Sequence, residues 1–200
     1  MKICIYAQGR SGSTSLYKLI SNHLNDLYLK YDEPFNSFSN KKMGLDGDTI
    51  TNKLFNSENV IIKTLHYNTI NGVTEFEMPE FLSKKFDKII FLIRKDTIAQ
   101  SESFLYRLNS NPYDWHTPEV YDLNIITKEE LDNRNNEYTL SNNFLINYCN
   151  LNGIPIYTYE DIFVEKNIEI VKQIFNYLEI DLDYTLYNEW IINSSKKARL

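Results

Sequence analysis

The residues best suited to chemistry lie in one stretch, Ile3-Cys-Ile-Tyr-Ala-Gln-Gly-Arg-Ser-Gly-Ser-Thr-Ser-Leu-Tyr, where an apolar run gives way to small polar residues and then to a helical pattern. A strand that turns into a helix through glycine and serine aims several backbone amides at one point, and that point suits a phosphate. Gly9 and Gly12 allow close backbone approach and unusual φ values, and the amides of Gly12, Ser13 and Thr14 fall at the start of the helix. In the nucleoside-triphosphate loop G-x-x-x-x-G-K-[ST], lysine neutralises the β- and γ-phosphates and the hydroxyl helps hold Mg²⁺. Here Ala7 takes the first place, Gly12 the second glycine and Thr14 the hydroxyl, but Ser13 stands where the lysine belongs. The nearest cation is Arg10. A kinase of a small metabolite uses the same strand, loop and helix, and the missing lysine argues against it.

Further polar residues punctuate the apolar runs. Arg94 follows Phe91-Leu-Ile, at the strand end where α/β sheets bind ligands, and Asp96 or Thr97 can cap the helix after it. That helix carries Ser101 and Ser103, roughly 160° apart at 3.6 residues per turn, so only one of them faces a given ligand. Lys63 ends Val60-Ile-Ile, His66 follows three residues later, and Glu33 precedes Pro34. Read alone, Glu33 is a carboxylate at an element end and His66 a hydrogen-bonded, partly buried histidine. The histidines His23, His66 and His116 have no metal-ligand spacing and Cys4 and Cys149 are isolated, so no metal is expected and both thiols are expected to be buried and reduced. Trp115 and His116 fall in a polar stretch that could line an acceptor pocket.

The elements that must position these groups can be read from hydrophobic pattern. Lys2 to Ala7, Val60 to Thr64, Lys88 to Ile93 and Ile154 to Tyr159 are apolar runs without in-out alternation, as parallel strands covered on both faces require. Leu16, Leu19, Ile20, Leu24 and Leu27 follow the helical period, as do Ile98, Leu105 and Leu108, and then Ile168, Val171, Phe175 and Leu178. Residues 36–59 and 109–136 are polar and aperiodic, and are expected to be loops with short helices. The expected fold class is α/β: a three-layer, P-loop-type sandwich with a mostly parallel sheet of about four to five strands, in one domain over residues 1–200.

With 42% hydrophobic residues the 200-residue chain can build a core, and its net charge of -6 argues against wrapping nucleic acid or an anionic membrane. The longest apolar run is too short to span a bilayer, and Gln8, Gly9 and Arg10 interrupt the N-terminal one, which predicts a soluble, cytoplasmic protein.

The string GRSGSTSLYKLI resembles the 5'-phosphosulfate-binding loop of PAPS-dependent sulfotransferases, most closely the bacterial carbohydrate enzymes of the trehalose-modifying type. That resemblance implies that Arg10 contacts the transferring sulfuryl group and the bridging oxygen, and that Gly9 and Ser11, Gly12, Ser13, Thr14 and Ser15 hold the 5'-phosphate. It implies that Arg94 and a helix serine clamp a 3'-phosphate; the family string R-x-D-x-x-x-Q-x-x-S favours Ser103 over Ser101. Lys63 is the implied partner of the sulfate and bridging oxygens. The base is Glu33 by analogy with the carbohydrate enzymes or His66 by analogy with the cytosolic ones, whose histidine directly follows Lys-Thr, whereas Leu65 intervenes here. Tyr157-Thr-Tyr-Glu-Asp-Ile-Phe resembles the family's C-terminal strand and turn. The implied reaction moves a sulfuryl group from PAPS to a hydroxyl or amine of a carbohydrate or small-molecule acceptor, releasing PAP without a metal. A module with this fold that binds PAPS or PAP without turnover is the alternative.

Overall fold

The computed structural model describes residues 1–36, 47–70, 72–110 and 125–197. Its sheet has five strands, β1 (Lys2–Ala7), β2 (Leu29–Asp32), β3 (Val60–Leu65), β4 (Lys88–Ile93) and β5 (Ile156–Thr158), in the order β2-β3-β1-β4-β5. Every pairing is parallel. The three expected strands at the centre are there, with β3 reaching Leu65, and they are buried almost throughout because helices cover both faces. The expected strand over 154–159 is shorter, since Glu160–Val164 leaves it as a π-helical turn. β2 is an addition: Leu-Lys-Tyr-Asp is a half-exposed edge strand without an apolar run.

Around the sheet lie α1 (Ser13–His23), α2 (Gly47–Asn56), α3 (Met78–Ser83), α4 (Thr97–Ser110), α5 (Lys128–Asn152), α6 (Ile168–Leu178) and α7 (Tyr184–Lys197). The loop expected through residue 136 gives way to helix at Thr127, whose side chain accepts from the Glu130 amide while Glu130 reaches back to the Thr127 amide. α5 then runs for 25 residues to Gly153. α6 presents Val171, Ile174, Phe175 and Leu178 as one buried stripe.

The side chains of β1 alternate between two cores. Ile3, Ile5 and Ala7 pack with α1, α6 and Trp190 of α7 on one face. Cys4 and Tyr6 pack with Ile50, Leu54, Met78, Leu82, Leu145 and Cys149 on the other. Each fully buried leucine or isoleucine contributes about 2 kcal/mol of transfer free energy. Both cysteines are free and buried, as expected. Among the described residues no helix is long and apolar enough to cross a membrane. The chain moves outward from β1 to β2 and returns through β3, then crosses to β4, so the loops after β1, β3 and β4 converge on one edge of the sheet, the switch point where such sheets bind ligands.

A candidate site at the switch point

The loop after β1 has the backbone of a cradle. Gly12 has φ of +79°, and a Cβ built on it would lie 2.4 Å from Cε2 of Phe163, so neither backbone nor space admits a side chain. Phe163 comes from the π-helical turn after β5 and stacks on Tyr159. A Cβ on Gly9 would lie 3.3 Å from Tyr67 Cε1 and 3.4 Å from the Tyr138 hydroxyl. Side chains engage two loop carbonyls: Ser11 Oγ donates to Gln8 O at 2.6 Å and Gln100 Nε2 to Gly9 O at 2.6 Å. The first amides of α1, at Ser13 and Thr14, have no partner within the helix by its geometry and carry the positive end of its dipole.

Arg10 holds a left-handed backbone, φ 64°, unusual for a residue with a side chain. Its Nε donates to Ser103 Oγ at 3.0 Å. Ser101 is fully buried and its Oγ donates to Thr97 O at 2.6 Å, within its own helix. Of the two serines it is therefore Ser103 that faces the loop. Arg94 lies just past β4, its guanidinium 4.6 Å from the Tyr159 ring centre and its carbonyl accepting from Asn142 Nδ2 at 2.8 Å. Its Nε is buried without a hydrogen bond. Glu160 fixes the turn beyond Arg94 by accepting from the amides of Lys95 and Asp96, and Asp96 caps α4 through the Ala99 amide.

Lys63 is the centre of charge. Its side chain is 2% exposed, and its ammonium lies 2.6 Å from Glu33 Oε1, 2.8 Å from Asp32 Oδ1 and 2.9 Å from Thr14 Oγ1. Register explains the encounter: Asp32 is the Cα partner of Lys63 across β2 and β3, and the Glu33 amide donates to Lys63 O at 2.7 Å. Glu33 also has a left-handed backbone, φ 54°. Its Oε2 accepts from Asn36 Nδ2 at 2.9 Å and Asn68 Nδ2 at 3.3 Å. Burial works to raise the Glu33 pKa, but the Lys63 charge and hydrogen bond and the two amides outweigh it and hold it below the usual carboxylate range. The group is a carboxylate at neutral pH.

His66 is placed elsewhere. Tyr6 and Thr64 are register partners and face the same side of the sheet, opposite Lys63, and the Tyr6 hydroxyl lies 2.7 Å from His66 Nδ1. Phe76 and Phe144 flank the imidazole. Burial pushes its pKa down to about 4, which keeps it neutral. Thus Arg10, Thr14, Glu33, Lys63 and Ser103 are gathered at the edge of the sheet, while His66 and Ser101 point away. Asp32, Asn68, Gln100 and Phe163 are site residues that the sequence reading did not single out. Trp115 and His116 lie outside the described residues. Among the described residues no group of three histidine, cysteine or acidic side chains is placed to hold a metal ion.

No protein-family model and no curated protein sequence matches this chain. Its fold does have a solved counterpart. The structure of mouse sulfotransferase SULT7A1 complexed with PAP superposes with a TM-score of 0.59 over 97% of this chain, at 15% sequence identity. The match spans 64% of the mouse chain. The chain therefore has the sulfotransferase fold.

Proposed function

We propose that the protein transfers a sulfuryl group from PAPS to a hydroxyl or amine of a carbohydrate or small-molecule acceptor. The observation that carries this reading is the Lys63–Glu33 ion pair at 2.6 Å beside Thr14 of the cradle, in a loop that lacks the lysine of a nucleoside-triphosphate site. The fit of a phosphate rests on Gly9 and Gly12, where a Cβ would crowd the cradle, and on the amides that open α1. Arg94 and Ser103 form the second anion site, for the 3'-phosphate.

In the reaction the acceptor oxygen or nitrogen gives its proton to the Glu33 carboxylate and forms a bond to sulfur. The bond from sulfur to the bridging oxygen breaks, and its electron pair stays with the 5'-phosphate of PAP. This chain's part is to position the groups and to meet charge as it develops. Arg10, Lys63 and the α1 amides face the loop where the leaving oxygen gains charge, and each donor of this kind is worth about 3 kcal/mol in comparable sites. Glu33 suits the base role because it is ionised, and it shares with Lys63 one end of the cradle. His66 is neutral but is directed into a core on the other face.

A screen of sugars and small amines with radiolabelled PAPS, and in parallel with labelled ATP, each with Mg²⁺ and with EDTA, tests this. Transfer from PAPS that survives EDTA is expected. Transfer from ATP that EDTA abolishes would establish a kinase instead.

A further inference from the structure

A single carboxylate would neutralise Lys63, yet two reach it, Asp32 at 2.8 Å and Glu33 at 2.6 Å, with the Thr14 hydroxyl at 2.9 Å as the third oxygen. These oxygens come from the start of α1 and the end of β2. A hydroxyl opening the loop helix, with a carboxylate from a nearby strand end, is the donor set with which phosphate loops hold Mg²⁺. In this chain an ammonium stands among those donors, and the loop position that carries lysine in such enzymes is Ser13. The loop lysine and the metal of the triphosphate site thus have as counterparts here Arg10 of the loop and Lys63 of a neighbouring strand.

We infer that Lys63 is a tethered substitute for the divalent cation of this cradle, that Asp32 is the positioning residue that holds it there, and that removing the lysine turns Thr14, Asp32 and Glu33 into a divalent-cation site. The inference rests on reading the loop as a phosphate cradle. All three donors are hard oxygens, which Mg²⁺ and Mn²⁺ prefer. Mg²⁺ binds oxygen at about 2.0–2.1 Å and keeps several waters, so the three oxygens need to close by about 0.5–0.9 Å each. The Asp32 side chain is 44% exposed, which lets water complete the shell. Stripped of their lysine, two neighbouring carboxylates repel one another, and capture of a cation relieves that repulsion.

The test is a Mn²⁺ titration of nucleotide-free protein followed by electron paramagnetic resonance, comparing wild type, Lys63→Ala, Lys63→Ala/Asp32→Asn and Lys63→Ala/Asp32→Glu. Lys63→Ala should bind one Mn²⁺ per chain at least tenfold more tightly than wild type. Asp32→Asn in that background should abolish the gain and Asp32→Glu should retain it, a rescue that a merely structural role would not produce. If Lys63→Ala is unfolded without metal, recovery of a cooperative melt on adding millimolar Mn²⁺ gives the same answer. Lys63→Ala that binds Mn²⁺ no more tightly than wild type, or that stays unfolded in millimolar Mn²⁺, overturns the inference. Because no nucleotide is present, failure of PAP to bind would count against the proposed function and leave this result standing.

Discussion

Glu33 Oε1 and Lys63 Nζ lie 2.6 Å apart, so the proposed proton acceptor and the proposed leaving-group cation are one ion pair before any substrate arrives. The pair keeps Glu33 ionised at the cost of basicity. In the proposed mechanism, negative charge on the leaving oxygen would draw on Lys63, weaken its hold on Glu33 and make the carboxylate a better base as the proton moves.

Replacing Glu33 by Gln removes the proton acceptor while leaving an amide of the same shape. Turnover should fall by roughly 10²–10⁴-fold, the usual scale of general-base loss, with PAP affinity retained. Steady-state kinetics beside calorimetry check this. The acidic limb of kcat/KM should lie below the ordinary carboxylate range, because the Glu33 pKa is lowered, and Lys63→Met should move it upward.

Arg10→Ala and Lys63→Ala should each lower turnover by about 10²–10³-fold and PAP affinity by much less, because the proposed mechanism has both cations act where charge develops during transfer. Single-turnover rates compared with equilibrium affinity separate the two effects. A pure affinity defect would move these residues out of the transfer step.

Much of this site could be read from sequence wherever the signal was local. Gly9 to Ser15 follow an apolar strand and precede an apolar helical stripe, and Arg94 ends a buried run, so their placement at one sheet edge followed from the fold class, whereas Lys63 lies inside β3, two residues short of its end. β2 was not legible, because a four-residue edge strand with half-exposed side chains has neither an apolar run nor clean alternation. The meeting of Asp32, Glu33 and Lys63 depends on the β2–β3 register and was hidden with it. Spacing alone left Ser101 and Ser103 as alternatives, since it gives their angle around the helix but not the direction of the helix, and the preference for Ser103 came from the family resemblance. Phe163 lies 151 positions from Gly12, and no local pattern links a ring in a π-helical turn to a glycine cradle.

Gly12→Ala should therefore damage both fold and function. The new methyl meets the Phe163 ring, and φ of +79° is unfavourable for alanine. A loss of about 1–3 kcal/mol in stability is expected together with weaker PAP binding. Chemical denaturation and calorimetry report the two separately. Adding Phe163→Leu should recover part of the stability by relieving the contact, leaving the backbone penalty.

His66 should act on stability and not on transfer. Its pKa is about 4 in the folded protein against 6.5 in the unfolded chain, so between those values the unfolded state binds more protons. Its contribution is complete above pH 6.5 and is lost as pH falls toward 4, a total of about 3 kcal/mol. Denaturation midpoints between pH 4 and 7 should show this slope, and His66→Gln should flatten it while transfer at pH 7 persists. Loss of transfer in a folded His66→Gln variant would reassign the base.

The claim on which the account depends is that the cradle after β1 and the Arg94–Ser103 site together bind a 3'-phosphorylated adenosine nucleotide. Calorimetry of the wild-type protein with PAP, AMP and ADP in EDTA measures this without knowledge of the acceptor. PAP should bind at least tenfold more tightly than AMP or ADP, and Arg94→Ala should bring PAP down to the AMP level. Equal affinity for PAP and AMP in the wild-type protein would contradict the account.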